Sequence, residues 1–415
     1  MPTFWQKLAA ERGFLRVQAP MEGVTDIAFR AWLSRYAPPD IYFTEFSSFS
    51  GLLQGRADTM RRLSNDQAGE QGVQRPLVAQ LWGNDAEQLG VALPRLVELG
   101  FDGVDLNFGC PHRKIVAKPA GGGLLQEGEQ SRALAMLQCC LSARAAGEIP
   151  PSFGISVKTR PGFARPDWGF LFRLLDCRAG GRGLDALTVH FRLASVPKSH
   201  SQGQGKSKGH INHKDNSLWA KFATALPQPW QDGPCYWNQS EKLLKLRRQS
   251  SGSGTLLLGS GGLGPGLSST SWAAAQATGL DGWMAARALF DDPLYLGRSD
   301  CSGRQRDGGK YCEDWTNCWQ RTRLPRRLFL LQQHLLLYRR YFYHEGQGQG
   351  PIGKHAGFYE VFKKFYRVYL PQVTFWAGGR ATEEDKEGTR LLSTLQVSRS
   401  VEEALEILNK RSGSS

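Results

Sequence analysis

Residues 103–111 read GVDLNFGCP, an apolar run that delivers Asn107 and then Cys110 onto a loop rich in glycine and proline. Such a run is typical of a buried strand with polar groups at its carboxyl end. Barrel enzymes keep their reactive groups at the carboxyl ends of parallel strands. The stretch therefore predicts a parallel strand that presents Asn107 and Cys110 at a functional site.

Similar apolar runs lie on both sides of this stretch, with longer amphipathic segments such as 85–99, 131–145 and 271–278 between them. Eight βα units over roughly 275 residues match the size of a closed (β/α)8 barrel, or TIM barrel. A doubly wound open sheet is the alternative, but no dinucleotide fingerprint follows the first run. The eight strand candidates are 15–19, 41–45, 77–82, 103–107, 154–158, 186–191, 255–259 and 282–286.

Beyond about residue 300 the apolar residues recur at helical spacing, in 327–343, 359–369 and 400–409. Ser400 followed by Glu403 forms a capping-box pattern at the start of the last of these stretches. Within 192–254, the stretches 195–216 and 227–254 are rich in Ser, Gly, Gln, Lys and Pro and are predicted to be mobile insertions. We therefore expect an α/β chain, with a barrel over 1–299, an insertion around 192–254 and an all-helical domain over 300–415.

The chain of 415 residues has 52 Lys plus Arg against 38 Asp plus Glu, a net charge of +14, which favours a polyanionic partner. Ten basic residues against three acidic ones lie in 192–254, and thirteen against five in 304–370. These basic segments are either solvated surface or surfaces that bind RNA phosphates. The aromatic residues of 338–369 are either core residues or groups that stack on bases. No apolar run approaches the roughly 20 residues of a membrane span, so we expect a cytoplasmic protein with free thiols, with import into an organelle as the alternative.

Cys110 allows three chemical roles at a strand end. It could be a nucleophile, a metal ligand or a general acid, since a thiol of ordinary pKa is mostly protonated at neutral pH. No CxxC or HxxxH pair accompanies it, so no metal site is expected. An ordinary buried cysteine is the plain alternative.

Five motifs follow one another along the predicted barrel. They read APMEGVTD at 19–26, TEF at 44–46, DLNFGCP at 105–111, SVKTRPG at 156–162 and VHFR at 189–192. In this order and spacing the chain resembles the tRNA-dihydrouridine synthases, and the glycine run at 121–123 is most similar to the bacterial C-type branch. The resemblance implies a monomeric FMN enzyme that reduces selected uridines of tRNA to 5,6-dihydrouridine at the expense of NADPH.

The resemblance also implies roles for individual residues. Hydride passes from the flavin to C6 of the uracil, Cys110 protonates C5, and Asn107 and Arg160 contact the substrate. Gln80 matches the glutamine at the pyrimidine edge of the flavin, Lys158 the lysine near N1 and O2, and His190 the histidine beside the ribityl and phosphate part. The other cofactor positions are Pro20, Met21, Glu22, Ser260, Gly261, Gly262, Ala286 and Arg287, and tRNA contacts are expected from Arg339, Arg340, Lys363 and Lys364.

Three positions depart from the family pattern: Phe191 and Ala286 each replace a glycine, and Ser260 replaces the asparagine that ends the seventh strand. Asn238 is the other candidate for that strand end, but its distance from the eighth strand is too long. Two further hypotheses follow. One is a tRNA-binding descendant that has lost FMN, and the other is a flavin barrel enzyme that acts on a small pyrimidine.

Overall fold

The computed structural model describes residues 1–64, 75–195, 237–251, 254–262, 272–297, 324–342, 362–370 and 383–412. Among the helices of these ranges, none is both long enough and apolar enough to cross a membrane. The described residues form two compact units. The first contains all the strands, and the second contains residues 28–37 together with the described residues from 288 onward.

Eight parallel strand positions in the first unit form a nearly closed barrel, which confirms the predicted architecture. The strand order is β2-β4-β5-β6-β9-β10-β11-β1, and a bridge between Val17 and Ile41 joins the two ends. Short β3 extends the second position, and β7 and β8 form a separate hairpin. The strands are β1 (Leu15–Gln18), β2 (Tyr42–Phe43), β3 (Ser47–Ser48), β4 (Leu77–Trp82), β5 (Gly103–Phe108), β6 (Gly154–Thr159), β7 (Arg178–Ala179), β8 (Arg182–Gly183), β9 (Ala186–His190), β10 (Leu256–Ser260) and β11 (Gly282–Ala285).

The helices of the described residues follow the strands in the expected alternation, and the predicted stretches 85–99, 131–145 and 271–278 are helical over nearly their whole length. They are α1 (Phe4–Arg12), α2 (Ile27–Tyr36), α3 (Phe49–Leu53), α4 (Ala57–Arg62), α5 (Ala86–Glu98), α6 (Arg113–Val116), α7 (Gln130–Ala146), α8 (Trp168–Asp176), α9 (Ser240–Gln249), α10 (Trp272–Ala277), α11 (Ala288–Asp291), α12 (Leu324–Phe342), α13 (Tyr366–Tyr369), α14 (Glu383–Val397) and α15 (Val401–Ser412).

Apolar side chains fill the interior of the barrel towards its amino-terminal end. Val17, Ile41 and Val78 belong to this core because alternate residues of a strand face the same side. Trp5 of α1 is fully buried in the same cluster, so α1 covers the amino-terminal end of the barrel. The opposite end is left to polar side chains at the carboxyl ends of the strands.

Part of the predicted insertion at 192–254 is regular structure, which corrects the expectation of a mobile loop. Residues 240–249 form α9, whose Leu243 is fully buried. Arg247 of the same helix forms an ion pair with Asp281. The helix forms because its leucines are spaced to face the barrel layer. Residues 196–236 of the predicted insertion lie outside the described residues.

The second unit is built from helices around an aromatic core. His334 of α12 is fully buried, and its Nδ1 lies 3.2 Å from the hydroxyl of Tyr369. Ser400 caps α15 by accepting a hydrogen bond from the backbone of Glu403, whose carboxylate accepts one from the backbone of Arg399. The predicted domain boundary at 299/300 lies outside the described residues.

Candidate active site

The strand register places the predicted polar residues together at one end of the barrel. Asn107 of β5 lies opposite Lys158 of β6, and His190 of β9 lies opposite Ser260 of β10. Paired residues of parallel strands face the same side of a sheet, and these four stand at or next to the carboxyl ends of their strands. The barrel therefore brings them to one mouth.

A buried chain of hydrogen bonds runs across β4, β5 and β6 below this mouth. Nε2 of Gln80 donates to Oδ2 of Asp105 over 2.7 Å, and Oγ of Ser156 donates to Oδ1 of Asp105 over 2.6 Å. Nδ2 of Asn107 donates to Oε1 of Gln80 over 2.9 Å. Burial raises the pKa of Asp105 to about 6, against the two hydrogen bonds and the charge of Lys158, which lower it. Two polar side chains thus donate to one carboxylate, and Asn107 is linked to it through Gln80.

The loop that carries Cys110 is held from both sides. Oδ1 of Asn107 accepts hydrogen bonds from the backbone of Gly109 over 3.1 Å and of Cys110 over 3.0 Å. The backbone N–H of Gly122 donates to the carbonyl oxygen of Cys110 over 2.8 Å. A Cβ at Gly122 would lie only 2.8 Å from that oxygen, so the glycine allows the close approach. Burial raises the pKa of the Cys110 thiol, which therefore stays protonated at neutral pH.

Four cationic side chains surround His190. Burial and the nearby charges of Arg160, Lys158, Arg192 and Arg287, in that order, hold the pKa of His190 well below its ordinary value, so the imidazole is neutral. Its Nε2 is buried and has no hydrogen-bond partner in the described part of the chain. A buried ring nitrogen without a partner is costly, and it lies beside a concentration of positive charge. This arrangement fits a polar, anionic group bound at the mouth.

Lys158 shares this environment. Burial and the charge of Arg160 lower its pKa to about 8, while Asp105 and Cys110 raise it. Arg160 itself is buried and donates to the backbone carbonyls of Gly109 over 2.8 Å and Leu193 over 2.7 Å. Arg160, which was expected to contact substrate, thus joins the Cys110 loop to the segment after β9.

The segment after β10 has the backbone needed at a phosphate site. Gly261 and Gly262 have φ values of +92° and +70°, which favour glycine. Successive backbone N–H groups in such turns can bind phosphate oxygens. Ser260 ends β10, whereas Asn238 lies in a short 3-10 turn (Trp237–Gln239) before α9. The seventh strand therefore ends at Ser260, as expected from its distance to the eighth.

Phe191 does not occupy the mouth of the barrel. Its ring is fully buried and packs against Trp283, with ring centroids 6.0 Å apart. The Trp283 ring in turn lies over Gly259, where a Cβ would be 2.2 Å from a ring carbon. Residues 259 and 283 alternate with Leu258 and Met284, which face the barrel core, so this aromatic pair lies on the outer side of the strands.

The segment after β1 forms a turn at the mouth. The Thr25 side chain accepts a hydrogen bond from the backbone of Met21 over 2.9 Å, and Glu22 forms an ion pair with Arg62 over 2.7 Å. Pro20 and Met21 are partly exposed there, as is Ala286 after β11. All three lie just after the carboxyl ends of β1 and β11.

A cleft of about 510 Å³ lies on the same rim, at the ends of β3 and β4. Trp82 forms part of its wall, and Nζ of Lys118 lies 5.7 Å from the centroid of the Trp82 ring. Phe49 adds a second aromatic ring, and Asp58 is an acidic residue of the lining. Polar and basic side chains make up most of the remainder: Ser48, Ser50, Gln54, Arg56, Thr59, Arg62, Asn84 and Gln88. The cleft is therefore largely polar, with three basic residues, one acidic residue and two aromatic rings.

The residues predicted to bind tRNA in the second unit have different environments. Arg339 is partly exposed and Arg340 is exposed at the end of α12. Lys363 is only 8% exposed, which does not suit a surface contact, and the Lys364 side chain lies outside the described residues. The aromatic residues Tyr338, Phe362, Phe365, Tyr366 and Tyr369 are buried, so they form core and not a base-stacking surface.

Three further residues lie in the site but were not predicted from the sequence: Asp105, Ser156 and Arg192. Asp105 could have been found, because it stands two residues before Asn107 on the same face of β5. Ser156 has the same relation to Lys158, and Arg192 follows His190 at the same interval. Among the described residues no group of three or more His, Cys, Asp or Glu side chains could hold a metal ion.

Part of the chain is similar to tRNA-dihydrouridine synthases. Residues 17–215 match the family model described as Dihydrouridine synthase (Dus). A probable tRNA-dihydrouridine synthase of Staphylococcus aureus (strain COL) is 35% identical over 166 residues, 40% of this chain and 45% of the relative. The probable tRNA-dihydrouridine synthase 2 of Bacillus subtilis (strain 168) is 34% identical over 166 residues, 40% of this chain and 46% of the relative. The chain thus spans less than half the length of these curated relatives.

Among solved structures, morphinone reductase matches with a TM-score of 0.40 and 13% sequence identity. The match covers 68% of this chain and 84% of that chain.

Proposed function

We propose that the chain is a tRNA-dihydrouridine synthase that binds FMN at the mouth of the barrel and uses NADPH as reductant. The observation that carries this proposal is the buried Nε2 of His190, which has no partner in the described residues and is surrounded by four cations. A flavin phosphate and its ribityl hydroxyls would satisfy both features. The family match of residues 17–215 supports the same reaction.

The residues at the mouth fit FMN in position and in chemistry. His190, Arg287 and the backbone of Gly261 and Gly262 would hold the ribityl phosphate, and Pro20, Met21 and Ala286 would border the ring. Lys158 would place its positive charge near the pyrimidine part of the ring, where it stabilises negative charge. When bound, reduced FMN supplies the hydride that the uracil ring accepts at C6.

Cys110 would donate the proton that C5 of the uracil needs. Its raised pKa keeps the thiol protonated over the neutral range, so a proton is available at Sγ. Asn107 and Gly122 hold its backbone, so the thiol is presented from a fixed loop. Metal-ligand and nucleophile roles need an ionised thiolate, which burial disfavours.

The tRNA substrate would contact basic side chains around the mouth and on the second unit. We assign this role to Lys118 and Arg56 of the rim cleft and to Arg339 and Arg340 of α12. A uridine must leave the base stack to reach the site, and phosphate contacts of this kind offset that cost. The glycine run at 121–123, which packs on the Cys110 loop, supports the C-type branch.

One experiment tests the proposal as a whole. The full chain is purified with added FMN, its flavin content is measured from the absorbance spectrum, and it is incubated with NADPH and unmodified tRNA. We expect about one flavin per chain and a uridine that gains two hydrogens by mass spectrometry of the digested tRNA. Lack of flavin after supplementation would favour the binding-only descendant. Flavin with reduction of a free pyrimidine, but not of tRNA, would favour the small-molecule enzyme.

A further inference from the structure

We propose that Asp105 is a positioning residue that orients the amides of Gln80 and Asn107 and thereby fixes the Cys110 loop. Its consequence for catalysis rests on the proposed function, but the fixing of the loop does not. Asp105 is fully buried in the barrel, and its side-chain hydrogen bonds within the described residues go to Gln80 and Ser156 and not to the loop. Its effect would pass through two side chains.

The backbone of the Cys110 loop, at the upper end of this series of hydrogen bonds, favours one orientation of the Asn107 amide. The backbone N–H groups of Gly109 and Cys110 can only donate, so the side-chain oxygen of Asn107 must face them. The nitrogen of the same amide then faces Gln80, which accepts with Oε1 over 2.9 Å. Nε2 of Gln80 is thereby turned towards position 105.

The lower end sets the same direction. An ionised carboxylate can only accept, and Asp105 accepts from Nε2 of Gln80 on one oxygen and from Oγ of Ser156 on the other. At pH 7 the group is mostly ionised, since its pKa is about 6. With the carboxylate at one end and two backbone donors at the other, each amide has one favourable orientation. A flipped Gln80 would place its oxygen against Asp105 and its nitrogen against the nitrogen of Asn107.

Removal of the carboxylate releases this constraint. In Asp105→Ala, the buried nitrogen of Gln80 loses its acceptor, and an unpaired buried nitrogen is costly. We therefore expect the Gln80 amide to rotate, which breaks its hydrogen bond to Asn107. The Cys110 loop then keeps the backbone bond from Gly122 but loses its fixed support from Asn107. Asp105→Asn keeps an acceptor for Gln80, and Ser156 can direct its proton to the carbonyl oxygen of Val104, 3.4 Å away.

The test measures the reactivity of Cys110 in the full chain, without tRNA. Iodoacetamide labelling is followed at the Cys110 peptide by mass spectrometry, because Cys139 and Cys177 are also partly exposed. We expect the labelling rate of Asp105→Ala to change by about tenfold, the effect of one lost buried hydrogen bond. Asp105→Asn should stay within about twofold of the original chain, since it retains the acceptor.

Ser47→Ala is the matched control, because Ser47 is fully buried in the same sheet and its hydroxyl has no partner in the described residues. It should leave the labelling rate unchanged. If Asp105→Ala does not fold, the same prediction applies to Gln80→Leu. That substitution interrupts the series of hydrogen bonds one side chain nearer to the loop. Equal labelling rates in the original chain and in the folded variants would overturn the proposal.

Kinetics give the second readout, which depends on the proposed function. Asp105→Ala should slow the reoxidation of the reduced enzyme by tRNA about tenfold, because that step uses Cys110, and Asp105→Asn should restore it. Altered labelling in an inactive protein would leave the positioning role standing and refute only the proposed activity. A loss of activity that Asp105→Asn shares would contradict positioning by an acceptor.

Discussion

Lys158 lies near the end of β6, paired with Asn107 on the adjacent strand β5, and its ammonium group interacts with the charge of Arg160. Burial and the guanidinium of Arg160 both favour its neutral form, so its pKa falls to about 8. Asp105 and Cys110 act in the opposite direction. Lys158 is therefore charged at neutral pH, but it loses its proton at a lower pH than an exposed lysine does.

This pKa gives a prediction for the proposed reduction of FMN by NADPH, a step that would not use Cys110. If the positive charge of Lys158 assists that step, the rate should be constant below about pH 8 and should fall as the pH rises through 8. The measurement is a stopped-flow pH profile of flavin bleaching without tRNA.

Lys158→Arg is the informative variant for this profile, because a guanidinium stays charged to much higher pH. The rate of flavin reduction in Lys158→Arg should not decline near pH 8, even if this rate differs from that of the original chain at every pH. Lys158→Gln should be slow at every pH. A decline that persists in Lys158→Arg would assign it to another group.

The residues of the site differ in how far sequence could predict them. Asn107 was predicted because it lies near the end of an apolar run, whereas Gln80, Lys158 and His190 were predicted from the family resemblance. The strand register brings all four towards the same end of the barrel. The partners of Asn107 could not be predicted, because its hydrogen bonds to Gly109 and Gln80 depend on side-chain directions that no pattern records. The same is true of Arg160, whose guanidinium holds two loops.

At the scale of elements, α1 is the feature that the sequence analysis missed. Its apolar residues are interrupted by charges, so the segment gave no clear period. In the structure Trp5 enters the base of the barrel core, and Phe4 lies where a Cβ at Gly154 would be only 2.5 Å away. The helix is therefore recognised by its contacts with residues more than 140 positions away in sequence, which a local pattern does not show.

The role of α1 leads to a stability prediction. Trp5→Ala removes a large, fully buried side chain, and we expect it to lower the free energy of unfolding by about 3–5 kcal/mol. Denaturant unfolding followed by circular dichroism measures the change. Glu11→Ala, on an exposed position of the same helix, should change stability by about 0.5 kcal/mol or less. Equal effects of the two substitutions would show that α1 does not close the barrel core.

The eight strands were predictable because buried parallel strands are continuous apolar runs, and each candidate coincides with a strand to within two residues. The segment of α9 was not, since its charged surface residues hide a single buried leucine. The amino-acid composition of this segment reflects the exposed side of the helix, whereas the helix is held in place by its buried side.

The basic residues behind the net charge of +14 lie in both units of the molecule. The cations of the barrel mouth surround His190 and suit a small anion, whereas Arg339 and Arg340 lie on α12, in the other unit. Of the predicted basic surface, Lys363 proved buried, and the aromatic residues beside it form core. Sequence predicted the excess of charge in this region but not which side chains face solvent.

Neutralising Arg339 and Arg340 therefore tests the tRNA contact. The double substitution to Gln should weaken tRNA binding and reduce the slope of log affinity against log salt concentration by roughly 1.5 to 2, as two phosphate contacts are lost. Filter binding over a range of salt concentrations measures both quantities. The control is the pair Arg399→Gln and Lys410→Gln, which removes equal charge from exposed positions of the same unit. If both pairs lower the slope equally, the effect is general and α12 has no specific role.

In the proposed reaction, the barrel mouth reduces a tRNA uridine with Cys110 as the acid. The most direct measurement compares the original chain with Cys110→Ala after anaerobic reduction by NADPH, with flavin reoxidation followed on addition of tRNA. We predict equal rates of reduction by NADPH and a reoxidation by tRNA that is about 10² to 10⁴ slower in the variant. Equal reoxidation rates in the two proteins would contradict the account.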